Sequence, residues 1–421
     1  MDRRDFMRSA IAAGVAGTAT PWFTACRPAG PGVPAVSLDG AAIEIEAAAV
    51  RELDEALSGV VMLADHPEYE TARKIWNGMH DKRPALIARC LTAQDVSNAV
   101  TFARERELLL AVRGGGHSWP GKSVCDGGMM LDLSQMNAVR VDAARRRAYV
   151  PGGTLLQGLD TAAREHGLIT TAGVVSHTGV GGFTLGGGYG RLNRKFGLAI
   201  DNLRSAELVT ADGRIRRVSD EQDADLFWAI RGGGGNFGVV TEFEFELYPM
   251  ALEVLSGMVV WPIAQARQVL DFYGGWHARV SDDLYVGPAM MTTPDGQGVL
   301  AMEVVYAGDP ATGEKELAPL LRVGTPIDNG VKLQDYMIMQ TQEDALAHHG
   351  IRSYAKNGMV KEITPAVVTA MIEAYQADPR VAMFSHTAGG AVARVDELAT
   401  AFPHRRAQTM LVFASLWNDP A

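Results

Sequence analysis

The chain is poor in cysteine, in excess positive charge and in long apolar runs, and each shortage removes a class of protein. Only Cys26, Cys90 and Cys125 occur among 421 residues. None falls in a CxxC or Cys/His pattern with metal-ligand spacing, which argues against a structural zinc site. The formal charge of −10 argues against a nucleic-acid partner, because phosphate binding requires a basic surface. No apolar run reaches the roughly 18 residues that a membrane span needs. Periodic repeats are also missing. The abundant glycine, 46 residues, therefore does not belong to a collagen-like or solenoid chain.

What is present begins with an address. Asp2-Arg3-Arg4-Asp5-Phe6-Met7-Arg8 precedes a small-residue apolar stretch from Ala10 to Ala19, then Pro21. The paired Arg3 and Arg4 ahead of Phe6 resemble a twin-arginine export signal and predict a periplasmic or otherwise extracytoplasmic protein; a basic, amphipathic first helix is the alternative. Phe23-Thr24-Ala25-Cys26 has the outline of a lipoprotein cleavage box, making Cys26 a candidate lipid anchor. Cys90 and Cys125 would then be the one pair open to a disulfide. Residues 1–26 are thus read as a signal region and residues 27–42, rich in Pro and Gly, as a linker.

Hydrophobic periodicity divides the remainder in two. Helical spacing runs over 43–57, 92–107 (with Thr92 as N-cap and Asp95 three residues on) and about 154–166; strand-like segments lie at 108–112, 129–133, 147–150 and 205–210. After Pro249 the texture changes. Strands at about 254–261, 284–293, 299–306, 381–387 and 408–416 alternate with amphipathic helices at about 263–279, 331–347 and 365–377. The expected class is α+β: a glycine-rich cofactor domain over 43–250, then a second domain over 251–421 with an antiparallel sheet covered by helices.

Gly116-His117-Ser118-Trp119-Pro120-Gly121-Lys122-Ser123 matches the P-loop pattern letter by letter. That motif requires a helix immediately after it, with phosphate at its N-terminus. Gly127 and Gly128 followed by the strand-like Met129–Leu133 leave no room for one, so a nucleoside-triphosphatase is rejected. Two of the glycine blocks fail the Rossmann pattern GxGxxG: Gly179-Val180-Gly181 runs into Thr184, and Gly188-Tyr189-Gly190 into Asn193. Four dense glycine blocks suit instead a long anionic cofactor threaded between backbone surfaces, whose amides reach pyrophosphate oxygens directly. Ordinary tight turns would account for any one block alone.

Arg113–Ser118, Ala172-Gly173-Val174 through Gly181-Gly182, Gly186–Gly190, Asp201-Asn202 and Arg231–Thr241 resemble, in order, the motifs of berberine-bridge-enzyme-like flavin oxidases in the vanillyl-alcohol-oxidase superfamily. The resemblance extends from about Ala64 to Ala421. It implies a two-subdomain PCMH-type FAD-binding domain, with the second domain roofing the flavin's reactive face. FAD contacts are implied at Arg113, Gly114, Gly115, Gly116, His117, Ser118, Gly173, Val174, Thr178, Gly179, Gly181, Gly182, Gly186, Gly187, Tyr189, Gly190, Asn202, Gly238 and Val239. His117 stands where the family bonds histidine to the 8α-methyl carbon of the flavin; imidazole is a competent nucleophile near neutral pH. Val175 stands where many relatives carry a second, cysteinyl link, so a single bond is expected.

Trp119 and Thr178 are implied pocket residues, beside the flavin and near the oxygen-access position respectively; simple packing is the alternative for Trp119. Met290, Met291 and Met302 are candidate pocket walls, with core packing as the alternative. His404 and Arg405 also match the family, with no role assigned, and no Asp or Glu is assigned as the base. The implied reaction is hydride transfer from a small alcohol, sugar or amine to flavin, then reoxidation by oxygen to give hydrogen peroxide. A dehydrogenase with another acceptor, or a non-catalytic flavin-binding fragment, are the other readings. The last residues, Trp417 to Ala421, follow directly on the strand at 408–416, where relatives continue into a helix and a return segment to the flavin. A truncated chain lacking part of the pocket is therefore expected.

Overall fold

The computed structural model describes residues 31–418. The expected signal region, with Arg3, Arg4 and Cys26, lies outside the described residues. Three larger sheets organise the rest. In the first, the strands run in the order Val60–Met62, Leu86–Arg89, Met129–Asp132, Leu110–Arg113. Met129–Asp132 pairs in parallel with both neighbours and is buried at all four positions, as parallel strands covered on both faces must be. Alternation sends Met129 and Leu131 toward the helices Ala47–Ala56 and Ala93–Glu105, and Met130 toward Tyr69, Ile75 and Val124.

The helix Ala93–Glu105 starts as the sequence predicts. The Thr92 hydroxyl accepts from the Asp95 amide at 3.1 Å, and the Asp95 carboxylate accepts from the Thr92 amide at 3.2 Å, a reciprocal cap that satisfies two otherwise orphaned donors. Part of the expected linker is folded, however. Val33–Val36 pairs antiparallel with Ala42–Ile45, and Ala35 and Ile45 are buried in the first core. The apolar residues between the prolines and glycines there close a hairpin over the sheet edge, where the Val36 amide donates to the Gly127 carbonyl at 2.8 Å.

The second sheet is antiparallel, ordered Ile215–Ser219, Leu203–Val209, Val239–Glu246, Arg147–Pro151, Arg140–Asp142. Leu156–Arg164 and Ala224–Ile230 pack on it through Leu156, Leu159, Phe227 and Ile230. Cys90 and Cys125 are separate buried thiols.

The third sheet begins at Glu253 and has eight antiparallel strands. Its centre is Glu253–Pro262, Gly298–Tyr306, Leu284–Thr292, Ala382–Thr387, Thr409–Trp417 and Arg352–Val360, in that order. Helices Ala266–His277, Pro310–Leu321 and Pro365–Ala377 cover one face, where Leu300, Met302, Val304, Met290 and Met383 are fully buried with Val269, Leu320 and Val368. Each such side chain contributes about 2 kcal/mol of burial. Met290 and Met302 therefore belong to the core beneath the helices and do not wall a pocket. The period of two that hides them turns their neighbours Ala301 and Glu303 to the opposite face. Met291, at the strand's end, is partly exposed.

Three segments of this region differ from expectation. The helix expected over 331–347 is an edge strand, Lys332–Asp335, followed by the short helix Tyr336–Thr341, because Lys332–Asp335 completes the ladder beside Glu253–Ser256. The strand Arg352–Val360 and the helix Pro310–Leu321 were not expected.

Candidate functional site

The glycine blocks meet where the first two sheets adjoin. The loop after Leu110–Arg113 passes so close to the segment before helix Val180–Leu185 that each needs glycine. A Cβ on Gly115 would lie 2.3 Å from the Gly179 nitrogen, and one on Gly179 would lie 2.2 Å from the Gly115 nitrogen. These loops wall a cavity of about 660 Å³, within the range of cofactor pockets, roughly 300–1,000 Å³. Of the implied FAD contacts, Gly114, Gly115, Gly116, His117, Ser118, Thr178, Gly179, Gly181, Gly182, Gly238 and Val239 line it. Lys122, Ser123, Phe183, Gly234, Gly235 and Asn236 complete the polar and glycine-rich wall.

Two observations say that this space suits a ligand such as FAD. Cβ atoms added to Gly182 or Gly235 would meet no protein atom within 4 Å, so these glycines leave room on the cavity side without a packing reason. The Ser123 hydroxyl is buried on the wall with no hydrogen-bond partner, an arrangement that a phosphate oxygen would satisfy. Ser123 ends the P-loop-like octapeptide, and a strand, Met129–Asp132, is the next regular element after it.

The other implied contacts do not line the cavity. Arg113 is tied to the Ala72 carbonyl. The Gly173 carbonyl accepts from Gln340 at 3.1 Å and that of Val174 from Arg191 at 3.5 Å. Gly186 caps a helix, and Gly187 packs on the Phe402 ring, which a Cβ would approach to 2.9 Å. Gly190 crosses the Ala172 carbonyl so closely that a Cβ would sit 1.9 Å from its oxygen. Tyr189 packs with Leu198, Ala388 and Phe402, where burial pushes its phenol up to about 12. Asn202 donates to the Leu198 carbonyl at 2.8 Å. Trp119 clasps the two domains, its indole N–H donating to Ser353 Oγ at 2.6 Å. Arg405 pairs with Asp201 at 2.7 Å, and His404 stands edge-on to Phe402.

His117 stands on the cavity wall. Trp76 stacks on its ring, with centroids 4.9 Å apart and planes inclined by 16°. Its Nε2 lies 2.7 Å from Nδ1 of His177, and its Nδ1 lies 3.5 Å from Thr178 Oγ1. His349 closes the group, 5.0 Å from His177 between ring centroids. Burial first, then the neighbouring His177 and His349, lowers the His117 pKa to about 3, so the imidazole is neutral at physiological pH. One ring nitrogen from each of the three lies within 4.8 Å of the others. The 2.7 Å contact is nevertheless a hydrogen bond: two nitrogens bound to one ion, each about 2.0–2.1 Å from it, sit farther apart. Sequence reasoning missed His177 and His349, since no motif spacing joins positions so distant in the chain.

The sheet face turned to the glycine-rich domain carries one carboxylate on its central strands, Glu303, and one imidazole, His386. Glu303 accepts from Arg191 Nε at 2.8 Å and from the Gln342 amide. Arg191 is fully buried and also reaches Gln340 at 3.1 Å. Burial, then the charge of Arg191, lowers His386 to about 4. These two groups bear no motif and surface only once the strand parity is known.

Residues 84–219 match a family model described as an FAD binding domain. The chain is 34% identical over 372 residues to an FAD-linked oxidoreductase of Dictyostelium discoideum, covering 87% of this chain and 81% of that one. The structure of 6-hydroxy-D-nicotine oxidase from Arthrobacter nicotinovorans resembles it with a TM-score of 0.78 at 29% identity, over 87% of this chain and 82% of that one. A berberine bridge enzyme variant described as a reticuline dehydrogenase shares the fold, with a TM-score of 0.79 at 23% identity over 88% and 80% of the two chains. A glycine-walled cavity, a family model that covers most of its lining residues and a relative matched along most of its length lead to one assignment: the chain is an enzyme of the FAD-linked oxidoreductase family, with the α+β, PCMH-type fold of the berberine-bridge-enzyme-like flavoproteins.

Proposed function

We propose that the protein is an oxidase that carries FAD covalently on His117 and oxidises a small organic substrate, of alcohol, sugar or amine type, held beneath the third sheet. The observation that carries this reading is the position of a neutral, stacked His117 on the wall of the glycine-lined cavity. The amides of the blocks at 114–118, 179–182 and 234–238 would hold the pyrophosphate and flavin. When bound, FAD supplies a two-electron acceptor, and the protein supplies orientation and proton management. Glu303, fixed by Arg191 and Gln342, is the carboxylate assigned here to take the substrate's proton. Neutral His386 offers a hydrogen bond to a substrate heteroatom.

Oxygen is the proposed acceptor, giving hydrogen peroxide. Mixing substrate-reduced protein with air and following the flavin absorbance tests this. Return of the oxidised spectrum with stoichiometric peroxide is expected, whereas a spectrum that recovers only with an added quinone or dye would make the enzyme a dehydrogenase. Export by the twin-arginine route, and anchoring through Cys26, are proposed from the sequence. Replacing Arg3 and Arg4 by lysine should leave precursor inside the cell, and normal secretion of that variant would refute the route.

A further inference from the structure

We infer that His177 is the proton acceptor that activates His117 for attachment to the flavin, with His349 as the exit for that proton to solvent. The inference rests on the reading of His117 as the attachment point and assigns a function to two residues that this reading leaves idle. Three observations carry it. His117 and Thr178 line the cavity, whereas His177 meets His117 by its Nε2, 2.7 Å from its own Nδ1. The Trp76 ring stacked on His117 fixes the imidazole plane, so its two nitrogens have separate surroundings: Nε2 faces His177, and Nδ1 lies near Thr178. Finally, His349 is exposed and lies against His177, with centroids 5.0 Å apart, which gives the inner pair a route to water.

The chemistry balances as follows. With the proton of neutral His117 on Nε2, Nδ1 keeps its lone pair and forms the new bond to the 8α-methyl carbon. One methyl C–H bond breaks. Alkylation at Nδ1 makes the ring cationic unless Nε2 gives up its proton, and Nδ1 of His177 is within hydrogen-bond reach to accept it. The two electrons released by exchanging C–H and N–H for C–N leave through the flavin to dioxygen, which takes up the two protons as hydrogen peroxide. Burial opposes a cationic His117, so the reaction needs a base at that nitrogen more than it would in water.

The test uses the full chain produced without FAD, to which FAD is added in air. Covalent flavin is read as acid-stable absorbance, and total binding as quenching of free FAD fluorescence. His177→Ala should bind FAD as wild type does but form the covalent bond about 100-fold more slowly, the usual scale of general-base assistance. Added imidazole should restore part of the rate, which a purely structural role would not allow. His349→Ala, an exposed position that should fold, should slow the bond several-fold with binding unchanged. Wild-type rates in both variants would overturn the inference while leaving His117 as the attachment point. A wild-type chain that binds FAD but never forms an acid-stable bond would overturn the attachment reading and the inference with it. Should His177→Ala fail to bind FAD, His177→Gln replaces it, and undiminished attachment in that variant contradicts the role.

Discussion

Gly115 and Gly182 line the same cavity but face different neighbours, and substituting them should separate folding from cofactor binding. A Cβ on Gly115 would overlap the backbone nitrogen of Gly179. Gly115→Ala should therefore lower the melting temperature of the flavin-free chain, at a cost of about 1–3 kcal/mol for overpacking. Gly182 sits in a helix with open space at its Cβ. Gly182→Ala should keep that melting temperature within error and still weaken FAD binding, because the methyl enters the space meant for the ligand. Equal effects of the two substitutions on stability would contradict this division. Glu303→Gln should retain full flavin and lower kcat by about 100-fold or more if the carboxylate takes the substrate's proton; an unchanged kcat would assign that role elsewhere. The place of His117 on the cavity wall was legible because its glycine-flanked block resembles a family motif. Its partners were not. His177 is 60 positions away, and His349 arrives on a segment whose Gly350 amide docks on the Trp76 carbonyl at 2.9 Å, a contact that only the folded chain creates.

Strand parity decides what each methionine of the third sheet does. Met290 and Met302 lie under the helices with no exposed surface. Met302→Ala should destabilise the protein by about 2–5 kcal/mol while leaving the flavin spectrum and the KM unchanged; a KM change without loss of stability would return Met302 to the pocket. The central strands at 284–292 and 298–306 were readable, being long, apolar and bounded by turns. Arg352–Val360 was not, because Arg352, Ser353, Tyr354, Lys356 and Asn357 place polar groups on both faces. It becomes a strand by pairing along its whole length with Thr409–Trp417. Lys332–Asp335 was misread for a related reason. Its short run joins with the apolar residues of Tyr336–Thr341 to imitate one helix, and only the edge of the ladder beside Glu253–Ser256 separates them.

The two domains are joined by a buried polar seam. Gln340 donates to Asp160 at 3.0 Å and to the Gly173 carbonyl at 3.1 Å, and accepts from Arg191 at 3.1 Å. Burial raises Asp160 to about 7, with Gln340 and Arg191 opposing the rise. Its folded pKa thus exceeds the unfolded value of about 3.9. The protonated carboxyl contributes fully below that lower value, and the contribution is lost as pH rises through about 7. Melting curves of wild type and Asp160→Asn should therefore diverge between about pH 4 and pH 7, with wild type losing ground as pH rises; parallel curves would show that Asp160 is already ionised. The seam holds the second domain against the glycine-rich one, and the whole account depends on what occupies the glycine-lined cavity. The most direct test is mass analysis of tryptic peptides from the denatured holoprotein. The account predicts one peptide, the one containing His117, heavier by the mass of FAD, with the yellow colour retained in the acid precipitate. Complete release of the flavin, or a mass increase on any other residue, would contradict it.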